Sequence, residues 1–138
     1  MDREEIKNIL PHRDPMLLLD HVENRDGTAI GHYTVRGDEF FLQGHFPGNP
    51  IVPGVILCEI LAQSACILMQ DALREGKLAV YTGLNNVRFR SPVKPGDTIK
   101  TRCRITRAKN PFYFAEGTLT VDERLCVSAE FSFSLVGA

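Results

Sequence analysis

The sequence predicts an α+β domain with a mostly antiparallel sheet, and three observations carry that prediction. Two short strand-like runs come first, a long apolar stretch covers residues 55–69, and from residue 78 onward the chain reads as strands separated by turn residues. The last strand is the clearest: Leu125, Val127, Ala129, Phe131, Phe133 and Leu135 alternate with Cys126, Ser128, Glu130, Ser132 and Ser134. Side chains in a strand point to opposite faces in turn, so this is a sheet with one face on the core. Strand, strand, helix and then several strands is the order of an α+β domain. At 138 residues, 43% of them hydrophobic, the chain is expected to form one domain, 1–138, around one core.

Residues 2–9 open the chain with Asp2 as a cap and two glutamates in the first turn, which suit the positive end of a short helix. "LPHRDP" interrupts it. Asp26-Gly27 then sits between two strand-like runs, a pair that closes antiparallel hairpins. After Phe40 and Phe41 a proline-rich loop leads into the long helix, expected from about Val55 to about Leu73 with a stop near Gly76. Being apolar nearly all round, that helix has no face for water and is expected to be enclosed by the sheet and by a second subunit. Beyond it "NN", "SPVKPGD", "KNP" and "VDE" read as turns.

Composition excludes several classes. With 24% charged residues and a net charge of -1 there is no compositional case for disorder. "MDREEIKNIL" has neither the basic start nor the apolar middle of an export signal, so a cytoplasmic location is expected. The run at 55–69 contains Glu59 and Gln63 and is shorter than the ~20 residues a bilayer needs. It is read as a core helix, with no membrane partner. Cys58, Cys66, Cys103 and Cys126 are spaced too irregularly for zinc-ligand pairs or a disulfide framework, and are expected to be buried thiols.

The stretch "GHFPGNPIVPGVILCEILAQ", residues 44–63, concentrates the chemistry. His45 can act as a base near neutral pH, in a loop whose prolines and glycines fix its shape. Glu59 lies on the apolar helix, where lost hydration favours the neutral, proton-donating form. Gln63, one turn on, can orient it through its amide. Gly54 follows Pro53 at the helix start, whose free N–H groups suit a carbonyl oxygen gaining negative charge. Each has a plainer alternative: Glu59 solvated on a boundary face, and a helix end that binds only water. His12, His21 and His32 have no comparable frame and are assigned to structure. No nucleophile flanks His45, no phosphate loop occurs, and no cluster suggests a metal. Proton transfer beside a carbonyl is the chemistry these residues suit, without metal or cofactor.

"LPHRDPMLLLDHV", the 44–63 stretch and "RFRSPVKPGD" together resemble the FabZ-type β-hydroxyacyl-(acyl carrier protein) dehydratases of bacterial fatty-acid synthesis, over nearly the whole chain. The resemblance implies the hot-dog fold, an antiparallel sheet wrapped around one long helix. It implies His45 and Glu59 as the catalytic pair, Gly54 N–H on the thioester oxygen and Gln63 orienting Glu59. It also implies sites shared between the subunits of a dimer, with three dimers usually forming a hexamer. Glu at 59, rather than Asp, favours this type over the related dehydratase-isomerases. Asp14 and Cys58 depart from the usual aromatic and aliphatic residues, which bears on acyl-chain length and not on the reaction. A thioesterase or a non-catalytic acyl-binding protein on the same fold is the alternative.

The carrier has its own signal. Between residues 88 and 109 there are eight Lys or Arg against one Asp, which suits an acidic protein partner. Arg88, Arg90, Lys94, Lys100, Arg102 and Arg104 are the docking candidates, with Lys100, Arg102 and Arg104 on one side of a strand. A solvated outer sheet face is the alternative. Nucleic acid is not expected, since the segment has little interleaved aromatic character and no binding motif.

Overall fold

The computed structural model of the chain describes residues 1–137. Helix α1 spans Arg3–Lys7, and Asp2 caps it as expected: its side chain accepts from Glu5 N while Glu5 reaches back to Asp2 N. Strands β1 (His21–Arg25) and β2 (Thr28–Thr34) form the first hairpin. Its turn places Asp26 at φ 52° and Gly27 at φ 89°, and Asn24 Oδ1 accepts from Gly27 N at 2.9 Å. Two successive left-handed residues match the strand twist, which is why Asp-Gly serves there.

Helix α2 covers Gly54–Cys66 and is followed by a 3-10 turn at Ile67–Met69 and a short helix α3, Gln70–Arg74. The expected stop is present, since Gly76 takes φ 82°. The expected reach to about Leu73 is met, with the chain tightening at 67–69 before the last turn. By length and apolarity the run Gly54–Leu73 would pass for a membrane span, yet most of it is buried by the sheet.

Strands β3 (Lys77–Phe89), β4 (Thr98–Lys109), β5 (Phe112–Val121) and β6 (Arg124–Gly137) complete one sheet in the order β1-β2-β4-β5-β6-β3, with every pairing antiparallel. Helix α2 packs on β2, β4, β5 and β6, so the sheet curls around it, which is the hot-dog architecture. In β6 the expected inward set is largely buried. Cys126 and Ser132 of the alternate set are buried as well: Leu119 pairs Val127 while Thr120 pairs Leu125, so Cys126 is the extra residue of a bulge and turns inward. "NN" is not a turn. Asn85 and Asn86 lie within β3 at a second irregularity, where Asn86 takes φ 49° and its amide donates to Glu130 at 2.7 Å.

The helix meets the sheet closely at Gly31. Gly31 N donates to Thr101 Oγ1 at 3.0 Å, Thr101 and Ser64 hydroxyls meet at 2.7 Å, and Ser64 Oγ donates to Ile60 O at 3.0 Å. Each polar group in this chain is buried and each has a partner, so burying them costs little. A Cβ at position 31 would lie 2.7 Å from both hydroxyl oxygens, which requires glycine.

Candidate active site

The loop before α2 is held by its own backbone. His45 N donates to Leu42 O at 3.1 Å, Phe46 and Asn49 exchange bonds of 3.0 and 2.8 Å, and Ile51 N donates to His45 O at 2.9 Å. Val52 N donates to Val93 O at 2.9 Å, tying the loop to the β3–β4 connection. Gly44 (φ 83°) and Gly48 (φ 71°) supply the two left-handed turns this path needs.

His45 Nδ1 lies 2.9 Å from Ile51 O. A carbonyl only accepts, so Nδ1 carries the hydrogen and the neutral ring presents an unprotonated Nε2, the form a base requires. Phe46 stacks on the ring at 4.0 Å between centroids, fixing its plane.

His45 and Gly54 line one open groove of about 520 Å³, with Ile51, Val52, Leu57 and Phe89 among its walls. Pro53 is the N-cap of α2, and its carbonyl accepts from Ile56 and Leu57 N at 3.0 and 3.3 Å. Among the described residues the Gly54 and Val55 amides have no acceptor and remain available at the helix tip. Gly54 has ordinary helical geometry, so backbone freedom is not what the position uses. Space is: a Cβ there would come within 2.7 Å of the Phe89 ring.

Glu59 does not line this groove. Its Oε2 accepts from Gln63 Nε2 at 2.8 Å, and the same oxygen lies 3.3 Å from His12 Nε2. The side chain is 24% exposed, so Glu59 is neither isolated nor fully dehydrated within one chain, a correction to the sequence expectation. Gln63, 1% exposed, does more than orient Glu59: it donates to Met16 O at 2.7 Å and accepts from Leu18 N at 2.9 Å, clamping the segment before β1 to α2. His12, which the sequence assigns to structure, comes to this carboxylate. Its approach to Glu59 depends on that clamp, which joins residues far apart in the chain.

The four cysteines are free and buried. Burial pushes the Cys66 thiol up to about 12, with the Glu59 charge adding to it, and desolvation raises Cys58, Cys103 and Cys126 as well. Thiols held protonated are poor nucleophiles. Tyr81 is likewise raised by burial, and its hydroxyl donates to Cys58 O at 2.5 Å. Among the described residues no group of three or more His, Cys, Asp or Glu converges as a metal-ligand set.

On the sheet, Arg88, Arg90, Arg102 and Arg104 line a second groove together with Thr118 and Ser128. Register explains it: Arg102 pairs Thr118, Thr118 pairs Ser128 and Ser128 pairs Arg88, a single row across β4, β5, β6 and β3. Lys94, in the turn after Pro92, and Lys100 do not line it. Arg104 is neutralised by Glu116 at 2.6 Å, while Arg88, Arg90 and Arg102 have no acidic partner among the described residues. Arg90 lines both grooves.

A family model described as a FabA-like domain matches residues 10–130. The 3-hydroxyacyl-[acyl-carrier-protein] dehydratase FabZ of Caulobacter sp. (strain K31) is 40% identical over 141 residues, covering 99% of this chain and 86% of that protein. The chain belongs to the FabZ-type dehydratases of the FabA-like family. The FabZ of Natranaerobius thermophilus is 41% identical over 138 residues, covering 98% of this chain and 97% of its own length. Among solved structures, the dehydratase heterocomplex ApeI:P from Xenorhabdus doucetiae aligns with a TM-score of 0.82 at 22% identity, covering 96% of this chain and 91% of that one. A hypothetical thioesterase from Streptococcus pneumoniae TIGR4, solved with coenzyme A, aligns with a TM-score of 0.62 at 16% identity over 85% of each chain. The last two likenesses concern the fold. Family membership rests on the FabA-like match and on the FabZ relatives.

Proposed function

We propose that this protein eliminates water from a (3R)-3-hydroxyacyl chain on acyl carrier protein, giving the trans-2-enoyl thioester in fatty-acid elongation. Residues 1–138 act as one cytoplasmic domain, and the reaction draws on no cofactor. One observation carries the reading: an imidazole fixed with Nε2 free shares a groove with an unpaired helix-tip amide.

With the thioester oxygen on Gly54 N–H, His45 Nε2 removes a proton from C2 and negative charge spreads onto that oxygen. Oriented donors at such a position contribute roughly 3 to 4 kcal/mol to the transition state. Glu59 in its protonated form gives its hydrogen to the hydroxyl leaving C3, which departs as water. The proton on His45 then returns to the Glu59 carboxylate, restoring both groups, and hydration runs the same steps in reverse.

Glu59 faces away from the His45 groove of its own chain, which favours a dimer in which each site joins His45 of one protomer to Glu59 of the other. Strand β3 suits that pairing. It bonds only to β6, so its other edge is open, and it exposes Val80 and Leu84. A trimer of such dimers is the assembly the sequence resemblance implies.

Arg88 and Arg102 in that row, with Arg90 lining the same groove, support carrier docking, since three guanidinium groups without acidic partners beside two hydroxyls suit an acidic protein and Arg90 adjoins the His45 groove. Incubation with crotonyl or decenoyl carrier-protein thioesters, following loss of the enoyl absorbance, tests the reaction. Hydration by the native protein and its loss in His45→Ala are expected; no hydration by the native protein would refute the reading, and near-normal turnover in Glu59→Gln would remove Glu59 as the acid.

A further inference from the structure

Two features around Glu59 have no part in the reaction as written. His12 Nε2 lies 3.3 Å from Glu59 Oε2, and His12 Nδ1 is buried with no hydrogen-bond partner among the described residues. The turn that carries His12 is stapled in place: Arg13 Nη1 donates to Leu10 O at 3.0 Å and His12 O at 2.7 Å, and Arg13 Nη2 to Lys7 O at 3.2 Å. The position of the imidazole is therefore built, and its neighbour is the one carboxylate of α2.

Hydrogen placement follows from the surroundings. A hydrogen on Nδ1 would be a buried donor with nothing to accept it, and it would leave the Nε2 lone pair facing the lone pairs of Oε2. The ring that fits carries its hydrogen on Nε2, which lies 3.3 Å from Glu59 Oε2 but is not aligned on it. Gln63 Nε2 already donates to that oxygen at 2.8 Å, whereas Oε1 has no partner among the described residues. An oxygen receiving two donors is a poor place for a carboxyl hydrogen.

We propose that His12 is a positioning residue: with Gln63 it occupies Oε2 of Glu59 and so confines the transferable proton to Oε1, the oxygen left free for the departing hydroxyl. This rests on the reading of Glu59 as the acid. It requires the 3.3 Å contact to align and shorten into a hydrogen bond when substrate excludes water, as catalytic bonds that are long in empty sites commonly do.

The test compares His12→Leu, which has no donor, with His12→Gln, whose amide stands in for Nε2–H, each alone and combined with Glu59→Gln. Hydration kinetics, thermal midpoint and oligomeric state are measured for all. Losing one hydrogen bond to the acid lowers kcat about tenfold in His12→Leu, with KM changed less than about twofold. His12→Gln restores most of kcat, and His12→Leu adds no further loss in the Glu59→Gln background, because His12 acts only through Glu59. If His12→Leu does not fold, His12→Asn replaces it, since its shorter reach removes the contact and the same loss is expected. Native kcat in His12→Leu with Glu59→Gln strongly impaired would overturn the inference alone, as would His12→Gln failing to recover or the two losses multiplying. Native kcat in Glu59→Gln would instead overturn the acid reading, and this inference with it.

Discussion

Replacing Gln63 by leucine keeps the helix propensity and most of the volume of a side chain that is 1% exposed, while removing three hydrogen bonds. Leu18 N–H is the costly loss. It is buried, its bond to Gln63 Oε1 is 2.9 Å, and a donor left unpaired there costs roughly 1–3 kcal/mol. Met16 is 38% exposed, so water can replace part of what its carbonyl loses. The bond to Glu59 is also reachable by water. Together these give about 2–4 kcal/mol, which for a chain of this size lowers the thermal midpoint by roughly 8–15 °C. Circular dichroism melts at fixed subunit concentration measure it, since an assembly's midpoint depends on concentration. Hydration kcat is expected to fall as well, because Glu59 loses one of its two holders. A midpoint within about 2 °C of native would refute the clamp, since a buried orphan amide cannot be that cheap.

Three further outcomes follow from distances given above. Gly31→Ala places a Cβ 2.7 Å from the Ser64 and Thr101 hydroxyls, and this overpacking is expected to cost about 1–3 kcal/mol in denaturant unfolding; an unchanged midpoint would show that helix and sheet are not in close contact there. Gly54→Ala drives a methyl into Phe89 at 2.7 Å and is expected to lower kcat/KM, with Phe89→Ala added to it recovering part of the loss; no recovery would place the damage elsewhere than the ring. Arg88→Glu with Arg102→Glu is expected to raise KM for carrier-bound substrate while sparing a short soluble thioester, and equal losses on both would remove this row as the docking face.

Local signals made much of the fold legible. Asp26-Gly27 fixed a hairpin, the alternation in 124–137 fixed a half-buried strand, and the apolar run at 55–69 had nowhere to lie except inside the sheet. What escaped depended on register and distance. Asn85-Asn86 has turn chemistry but sits where β3 is irregular against β6, and partnership with Glu130 holds it. Arg102 was placed beside Arg104 on β4, yet its alignment with Arg88 passes through Thr118 and Ser128 on two other strands. The candidate residues His45, Gly54, Glu59 and Gln63 can be named from sequence because one stretch holds all four, whereas His12 meets Glu59 only through tertiary contact. The same stretch hid that His45 and Glu59 face different surroundings, since a helix turn separates directions that a sequence writes in a line.

The proposed reaction requires His45 of one protomer to act with Glu59 of another. Mixing His45→Ala and Glu59→Gln proteins, unfolded together and refolded, measures this directly, because only a mixed pair holds one intact His45 and one intact Glu59 on separate chains. Random pairing of two chains makes about half the dimers mixed, each with one working site, so hydration returns to about a quarter of native. Activity no higher than that of the two variants refolded separately, with mixed dimers present by mass analysis, would contradict it.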